Sequence, residues 1–476
     1  MTSELDTTTT APSTRPVLLV ACAATFLAFL DASTLNMAFS SLVASFPQTT
    51  QSSLTWTISA YATAFAAGLA IGGRAADALG HRMLLMAGVL GFTLASVACA
   101  LAPSAGALIG ARAVQGVGAA LILPAALGAL LTYIPAEKRV AAIGAWGAAA
   151  ALAAAIGPSV GAVLVDVSGW RAIFWINLPA CAVVAIAAAA ALPGEAARTR
   201  RALPDLLGAA MLAAGTAALV AAITEAHEWG YSSPATLFLA GGGTAAITWT
   251  VSRSQIHPRP VFVTALWRHR GFVGANLVNA CLGACLFTFL LAAPLWLTTV
   301  WKLSLMWAAT AVGIAGAAAM VGAALVGWFA QPATARWFAA AGMGSIAMTF
   351  AMLASPAWSP TRSWTLWVVL AVTVGIGVGA AISAASVITA AVVGPVHAAT
   401  GIGGILTSRQ IGGALGVAVL AATLAETTSP GFRSSFHHLF AALGVVAAVA
   451  AVLAMWLLTT LAPEAAANMH PTEAHA

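Results

Sequence analysis

The chain has 476 residues, of which 61% are hydrophobic and only 7% are charged, and its formal net charge at pH 7 is +6. Soluble globular domains are about 45–50% apolar and about 25% charged, so this composition excludes a soluble protein and predicts an all-α, polytopic membrane protein. The basic residues stand in short segments between hydrophobic runs. That placement is typical of membrane orientation and excludes nucleic-acid binding as the reason for the positive charge.

Hydrophobic runs of membrane length follow one another along the chain. The flanking segments 1–16 and 462–476 are predicted to be cytoplasmic tails, and the first is polar, rich in Thr and expected to be disordered. The first run is too long for the h-region of a signal peptide, so we expect it to be retained. The runs predict fourteen transmembrane helices, at residues 17–40, 53–73, 83–102, 106–133, 140–165, 171–192, 206–224, 235–252, 271–300, 306–329, 336–354, 364–392, 399–425 and 436–461.

The positive charges predict the orientation, because cytoplasmic loops carry an excess of Lys and Arg. With the N-terminus inside, the opposite side holds only Arg171, Lys302, Arg362 and Arg433. We therefore predict a multi-pass protein of the cell membrane with both termini in the cytoplasm. The cytoplasmic segments hold the larger set: Arg15, Arg74, Arg82, Lys138, Arg139, Arg198, Arg200, Arg201, Arg253, Arg259, Arg268, Arg270 and Arg336.

An acidic residue, Asp31, stands inside the first predicted span, in the polar stretch LDASTLN at 30–36. A charged side chain in the middle of a span costs roughly 2.5–3.5 kcal/mol to insert, and desolvation favours its protonated form. Asp31 is therefore a candidate for reversible protonation; the alternative is a carboxylate that is permanently paired with an arginine or caps a kink. Asn36, Trp56 and Tyr61 are candidates for lining a cavity.

Three permanent charges lie in the segment 73–82, GRAADALGHR, between the second and third spans. A charged turn between two such helices lies in water and marks a membrane edge. Its glycines allow helix ends to approach closely, and Asp77 can pair with a basic residue or cap a neighbouring helix. Gly73, Asp77, Gly80 and Arg82 match the first signature of the major facilitator superfamily, which this chain resembles. The resemblance implies two six-helix bundles that alternate access to a central site, with these four residues in gating.

The fourth span contains Arg112 and Gln115, which project to one helix face because they are three residues apart. Arginine stays charged at this depth and needs a partner or a water-filled cavity. Asp31 is the candidate partner, and the pair would act as a proton switch; a purely structural Arg112 is the alternative. This motif and the Asp31 stretch resemble the fourteen-helix drug:proton antiporters, which implies that Asp31, Arg112 and Gln115 couple transport to protons.

The fifth span carries GPSVGA at 157–162. Pro158 removes a backbone hydrogen bond and kinks the helix, while Gly157 and Gly161 form a small-xxx-small packing face. By spacing alone this describes any kinked membrane helix. The stretch also resembles the antiporter signature of the superfamily, which implies a hinge that shapes the outward gate and favours export.

The sixth span opens with WRAIFWINLP at 170–179, where the aromatic residues and Arg171 predict ordinary interfacial anchors. We expect Asp166, which lies just before this stretch, to pair with Arg171. The pattern also resembles the fourteen-helix family.

Two basic cytoplasmic linkers, 193–205 and 253–270, enclose exactly two spans at 206–252. This arrangement predicts six helices in 17–192, an inserted pair, and six helices in 271–461. Six-helix halves usually surround a site near the middle of the membrane.

At the outer end of the inserted pair, Glu225, His227 and Glu228 lie close together in sequence. A metal site is conceivable, but no ligand from a third helix is evident, so we expect a solvated loop and no metal. Glu225 lies nearest to the span and is a secondary candidate for contact with a cationic substrate.

The C-terminal half places a second arginine, Arg409, inside a span, in SRQIGGALG at 408–416. Bracing of the two bundles and a functional role are both open for it, and we group it with the gating residues. Trp296 is a further candidate for lining the cavity. The cysteines are predicted to be packing residues without disulfides: Cys22, Cys99, Cys181, Cys281 and Cys285.

No GxxxxGK[ST] motif, HExxH motif or cofactor fingerprint is present in the sequence, so we predict no enzyme, no cofactor and no direct use of ATP. The prediction is a proton-driven exporter of small amphipathic organic compounds such as antibiotics or dyes, with the lipid bilayer and protons as its other partners. A cation:proton antiporter or nutrient transporter on the same fold is one alternative. A receptor or scaffold that no longer transports is another.

Overall fold

The computed structural model describes residues 14–49, 51–193, 205–258, 260, 263–355, 363–394, 398–423 and 432–458. Within these ranges the secondary structure is helical, with 3-10 turns at Leu35–Ala38 and Thr264–Arg268 and no strand. A helix occupies each predicted hydrophobic run. The helices are α1 (Thr14–Thr34), α2 (Phe39–Ser45), α3 (Gln51–Leu79), α4 (His81–Ala100), α5 (Ala105–Tyr133), α6 (Ala136–Ser168), α7 (Ala172–Trp175), α8 (Asn177–Ala191), α9 (Leu206–Trp229), α10 (Pro234–Ile256), α11 (Arg270–Thr299), α12 (Leu305–Phe329), α13 (Ala335–Ala354), α14 (Trp364–Val393), α15 (Ala398–Thr423) and α16 (Phe432–Leu457).

By length and composition, ten helical segments in the described part of the chain could cross a membrane. Four other helices are of similar length: α3 has 29 residues, α9 has 24, α10 has 23 and α15 has 26. The fold is therefore an all-α membrane fold as expected, while the number of fourteen crossings stays a prediction. The predicted tails and much of the two linkers lie outside the described residues.

Polar side chains mark the starts of several helices at the points where the chain enters an apolar run. Each oxygen accepts a hydrogen bond from a backbone N–H of the first turn, which has no partner within the helix. The capping residues are Ser104 for α5, Asp205 for α9, Ser233 for α10 and Ser304 for α12.

Helices α1–α8 pack mainly on one another, and so do α11–α16; we call these sets the N-terminal bundle and the C-terminal bundle. The bundles meet where α15 contacts α3 and α5, and where α6 contacts α12 and α14. Helices α9 and α10 form an inserted pair, and α9 packs against α3 and α15. Asp205 at the start of α9 pairs with Arg253 of α10, and this contact holds the pKa of Asp205 down to about 2.

The structure shortens the predicted turn at 73–82. Helix α3 continues through Leu79 and α4 begins at His81, so only Gly80 interrupts the helices. Gly80 has a φ of 102°, a conformation that glycine adopts readily because it has no Cβ. The charged residues before Gly80 therefore form the last two turns of α3, where their side chains keep helical spacing.

The first predicted span is not one regular helix, because it tightens to a 3-10 turn at Leu35–Ala38. Just before this turn, the Ser33 hydroxyl donates to the carbonyl of Leu30 at 3.0 Å, and the Thr34 hydroxyl donates to that of Asp31 at 3.1 Å. Such hydrogen bonds from a hydroxyl to the preceding turn bend helices. The irregularity follows directly after Asp31.

Candidate functional site

Four helices of the N-terminal bundle bring polar side chains together around Asp31. Asp31 comes from α1, Ser96 from α4, Arg112 and Gln115 from α5, and Asn177 from the start of α8. All are almost fully buried, with exposed fractions of 2% or less. Because water does not reach the cluster, each polar atom depends on its neighbours for hydrogen bonds.

Asp31 is the acceptor at the centre of the cluster. Its Oδ2 accepts from Arg112 Nη1 at 2.7 Å, and its Oδ1 accepts from Gln115 Nε2 at 3.0 Å and from Asn177 Nδ2 at 2.6 Å. Ser96 Oγ accepts from Gln115 at 2.7 Å and from Asn177 at 3.1 Å. Arg112 also donates to Gln115 Oε1 at 2.6 Å. The carboxylate form of Asp31 is thus satisfied by three donors.

Arg112 is held from several sides. Its Nε donates to the carbonyl of Thr57 at 3.1 Å, and its guanidinium carbon lies 4.2 Å from the ring centroid of Tyr61. The Tyr61 hydroxyl in turn donates to the carbonyl of Ala28 at 3.3 Å. A buried ion pair is favourable only when such additional contacts satisfy both ions, and removing one partner typically costs about 3–5 kcal/mol.

The predicted contact between Asp31 and Arg112 is present, and Gln115 joins it. Tyr61, a cavity candidate in the sequence, belongs to the same cluster. Sequence analysis missed Ser96 and Asn177. The signal for Asn177 was an amide within a predicted span, but its position beside interfacial aromatic residues favoured an anchor; a single serine in a membrane helix gives almost no signal.

The other cavity candidates lie apart from this cluster. Trp296 is fully buried, with its ring centroid 4.3 Å from that of Phe436 in α16, so it belongs to the core of the C-terminal bundle. Trp56 is half-buried. The side chain of Asn36 lies outside the part of the chain that the structure describes.

The sequence predicted that Glu225, His227 and Glu228 lie in a solvated loop. The structure corrects this prediction for Glu225. Glu225 is only 5% exposed, because it still lies within α9 and packs inside the protein. The side chains of His227 and Glu228 lie outside the described residues.

Asp77, near the end of α3, joins the two bundles. Its carboxylate accepts from the backbone N–H of Ala399 at 3.2 Å and of Thr400 at 2.9 Å, and from the Thr400 hydroxyl at 2.5 Å. These groups form the N-terminus of α15, where a negative charge is favourable. Burial raises the pKa of Asp77 to about 6, although the hydrogen bonds and Arg74 oppose that shift.

Two other residues of the same signature have defined contacts. A Cβ at Gly73 would overlap the carbonyl of Ala399, so the backbones of α3 and α15 touch there because this residue is glycine. Arg82 Nη2 donates to the carbonyl of Ala189 in α8 at 3.0 Å, within the N-terminal bundle.

The glycines around Pro158 pack against α1 directly after Asp31. A Cβ at Gly157 would overlap the hydroxyl of Ser33, and one at Gly161 would lie 2.5 Å from the carbonyl oxygen of Thr34. The predicted small-residue face is thus the surface that α6 presents to the irregular part of the first span.

Arg409 lies in α15 and is 5% exposed. Its guanidinium carbon is 5.9 Å from the ring centroid of Phe29 in α1, across the bundle interface. Among the described residues it has no carboxylate partner and no hydrogen bond. A cation–π contact contributes about 0.5–2 kcal/mol, which is less than the several kcal/mol that desolvation of a cation costs.

The expected pair of Asp166 and Arg171 is absent. Arg171 Nη2 instead donates to the carbonyl of Ala102 at 3.3 Å, and its guanidinium carbon lies 4.3 Å from the ring centroid of Trp170. Asp166 is exposed at the end of α6. An exposed ion pair contributes little, so the ring and carbonyl contacts prevail.

The sequence model described as Major Facilitator Superfamily matches residues 21–417. The cephamycin export protein CmcT of Amycolatopsis lactamdurans is 32% identical, with 100% of this chain and 96% of that protein aligned. The methylenomycin A resistance protein of Streptomyces coelicolor is 31% identical, with 84% of each chain aligned. Among solved structures, the human organic anion transporter MFSD10 superposes with a TM-score of 0.68 at 14% identity, covering 93% of this chain and 100% of that one; this likeness concerns the fold alone.

Proposed function

The chain belongs to the major facilitator superfamily and is a multi-pass membrane transporter, and from that membership we propose that it exports small amphipathic organic compounds in exchange for protons. The two relatives described above, one named for antibiotic export and one for antibiotic resistance, support export rather than uptake. The charge bias of the loops supports a cell-membrane protein with both termini in the cytoplasm.

The observation that carries the proposal is the buried cluster around Asp31. In this conformation the carboxylate neutralises Arg112 and accepts from Gln115 and Asn177. A proton on Asp31 removes its negative charge, which leaves Arg112 without a counter-ion and weakens the contacts among α1, α5 and α8. Proton binding and helix packing are therefore linked at one side chain, and Asp31 carries the proton.

Asp31 is enclosed in this conformation, so a proton reaches it only after the surrounding helices move. We assign that movement to alternating access between the two bundles. The bundles touch where Gly73 meets Ala399 and where Asp77 caps α15, at the edge that the charge bias places in the cytoplasm. Export requires these contacts to open toward the cytoplasm for loading and to close again for release outside.

Two further groups of predicted gating residues act within the N-terminal bundle. Gly80 makes the reversal between α3 and α4, and Arg82 ties α4 to α8. Gly157, Pro158 and Gly161 let α6 pack closely on the irregular part of the first span, next to Asp31. Movement of α6 is thereby transmitted to the helix that carries the proton.

The proton-motive force is large enough for this task. One elementary charge that crosses about 100 mV yields roughly 2.3 kcal/mol, which corresponds to about a fifty-fold gradient of a neutral compound.

The test uses everted membrane vesicles energised by respiration. Antibiotics, dyes and lipophilic cations are added to vesicles with wild-type protein, Asp31→Asn, or the control Asp166→Asn, whose parent carboxylate is exposed and outside the cluster. We expect a compound to release protons from wild-type and Asp166→Asn vesicles and at least about tenfold less from Asp31→Asn, since the amide carries no titratable proton.

The outcomes separate the alternatives. Release that persists in Asp31→Asn keeps the antiporter and removes Asp31 from the coupling. Release on addition of sodium or potassium only indicates a cation:proton antiporter. No release with any compound or ion favours a receptor or scaffold.

A further inference from the structure

The charges that are buried within the two bundles do not sum to zero. Among the described residues, the buried charged side chains outside the inserted pair are Asp31, Arg112 and Arg409. Asp31 and Arg112 neutralise each other at 2.7 Å. Arg409 is left as a positive charge without a counter-ion inside the protein.

Within the described part of the chain, no side chain or carbonyl accepts a hydrogen bond from the Arg409 guanidinium. The backbone of α15 touches α11 here, because a Cβ at Gly283 would overlap the carbonyl of Arg409 itself. The neighbouring hydroxyl of Ser408 is engaged, since it donates to Asn276 Oδ1 at 2.7 Å. Across the interface the guanidinium carbon lies 5.9 Å from the ring centroid of Phe29. A guanidinium has five N–H donors and matches a carboxylate with two parallel hydrogen bonds.

We propose that Arg409 binds the carboxylate of the transported compound, so that the substrates are amphipathic organic acids rather than lipophilic cations. This inference rests on the proposed function. The aromatic ring of Phe29 would contact the apolar part of the substrate next to its acid group. A cationic substrate would be repelled, because Asp31, the buried acid of the neighbouring helix α1, is already neutralised by Arg112.

The position of Arg409 also brings the bound substrate to α1, the helix that carries the proton-binding residue Asp31. Phe29 and Asp31 are two residues apart in α1, so the acid group of the substrate and the proton act on the same helix. Export of a monoanion against entry of one proton moves two elementary charges inward in each cycle. The membrane potential therefore drives export of an acid twice as strongly as export of a neutral compound.

The test uses purified full-length protein in phosphatidylcholine vesicles, which present no anionic headgroup to compete for Arg409. Binding is measured for a panel of aromatic carboxylic acids, their neutral methyl esters, and tetraphenylphosphonium. We expect wild type to bind at least one acid more tightly than its ester. Arg409→Gln should weaken binding of that acid by about tenfold or more and leave its ester unchanged, with Arg409→Lys in between. The control Arg171→Gln removes an arginine outside the interface and should leave the ratio of acid to ester affinity unchanged.

Two results would overturn the inference: wild type prefers esters or tetraphenylphosphonium to every acid, or a folded Arg409→Gln keeps the acid-to-ester ratio of wild type. Folding is checked by size-exclusion chromatography and thermal melting, and the wild-type preference decides the question even if the variant does not fold. Proton-driven uptake is recorded in the same vesicles. Exchange that favours cations would refute the role of Arg409 and keep the proposed function, whereas no proton-driven exchange of any compound would refute the proposed function.

Discussion

At the scale of single residues, Asp31 is held by donors from three sides, and these donors act on its two protonation states differently. Arg112 provides the charge that balances the carboxylate, whereas the amides of Gln115 and Asn177 provide directed hydrogen bonds. A donor to a carboxylate stabilises the charged form relative to the protonated one. Removal of an amide therefore takes one directed hydrogen bond from the carboxylate while the ion pair with Arg112 is kept.

The first prediction concerns Asn177→Ala. The carboxylate loses one of its three donors and α8 loses its contact with Asp31, so proton-coupled exchange should fall by about tenfold. The measurement is exchange rate against pH in proteoliposomes. Asn279→Ala is the matched control, because Asn279 is an equally buried amide that donates within its own helix to Ala275 in the other bundle. An equal fall in Asn279→Ala would assign Asn177 a packing role only.

Single residues could be predicted from the sequence to the extent that they stand out against apolar neighbours. Asp31, Arg112 and Gln115 did so, because ionic and amide side chains are costly inside a span. Asn177 did not, because aromatic residues nearby favoured an interfacial position. Arg409 was evident as an unusual charge, but the absence of a counter-ion across the bundle interface is a property of three-dimensional packing.

At the scale of elements, the contact between α1 and α6 depends on two glycines in different surroundings. The space beside Gly157 is bounded by the Ser33 side chain, through both its hydroxyl and its Cβ, whereas the space beside Gly161 is bounded by the backbone carbonyl of Thr34. A side chain yields more easily than a backbone. The two glycines of one motif are therefore not equivalent.

The second prediction follows from that difference. Gly161→Ala should destabilise the protein by about 1–3 kcal/mol through overpacking and should reduce exchange, while Gly157→Ala should have a smaller effect on both. The Ser33→Gly/Gly157→Ala double variant should restore more stability than Ser33→Gly/Gly161→Ala, because Ser33→Gly removes both atoms that a methyl group at Gly157 would meet. Thermal melting in detergent and exchange in proteoliposomes measure these effects. Equal losses at both glycines would contradict the assignment of the contacts.

Elements were largely predictable, because long apolar runs specify helices whatever their packing. The residues at which the helices begin and end were less predictable. The segment 73–82 was predicted as a turn because it is charged, but alanine, leucine and charged residues all favour helix, and Gly80 alone suffices for the reversal. The 3-10 turn after Asp31 depends on two hydroxyls that bond to the preceding turn, which the hydrophobic pattern does not indicate.

At the scale of the whole molecule, the two bundles close on each other at one edge, through α3 and α15. The sequence left two options for Asp77, a basic partner or a helix end, and the structure realises the second. No internal repeat related the halves in the sequence, so the surfaces by which they meet could not be predicted. The excess of Lys and Arg in the loops at one edge predicts that this edge faces the cytoplasm.

The third prediction tests that orientation with two exposed lysines at opposite edges. Lys138 lies in the first turn of α6, just after the segment that links α5 to α6, and Lys302 lies between α11 and α12. Lys302→Cys should react with a membrane-impermeant maleimide in intact cells, and Lys138→Cys should react only in everted vesicles. The native cysteines lie within helices and are buried or partly buried, so the unsubstituted protein gives the background. Reaction of Lys138→Cys in intact cells would reverse the proposed orientation.

The cap that Asp77 forms on α15 also has a consequence for biosynthesis. Asp77 precedes Ala399 by 322 residues and Thr400 by 323. At a translation rate of about 5–20 residues per second, its donors emerge roughly 15–65 s after it does. Throughout that interval the nascent chain presents an acid without these donors at the edge of the bilayer. The finished transporter hides this acid, and a membrane chaperone or protease that recognises it would distinguish an incomplete chain from a complete one.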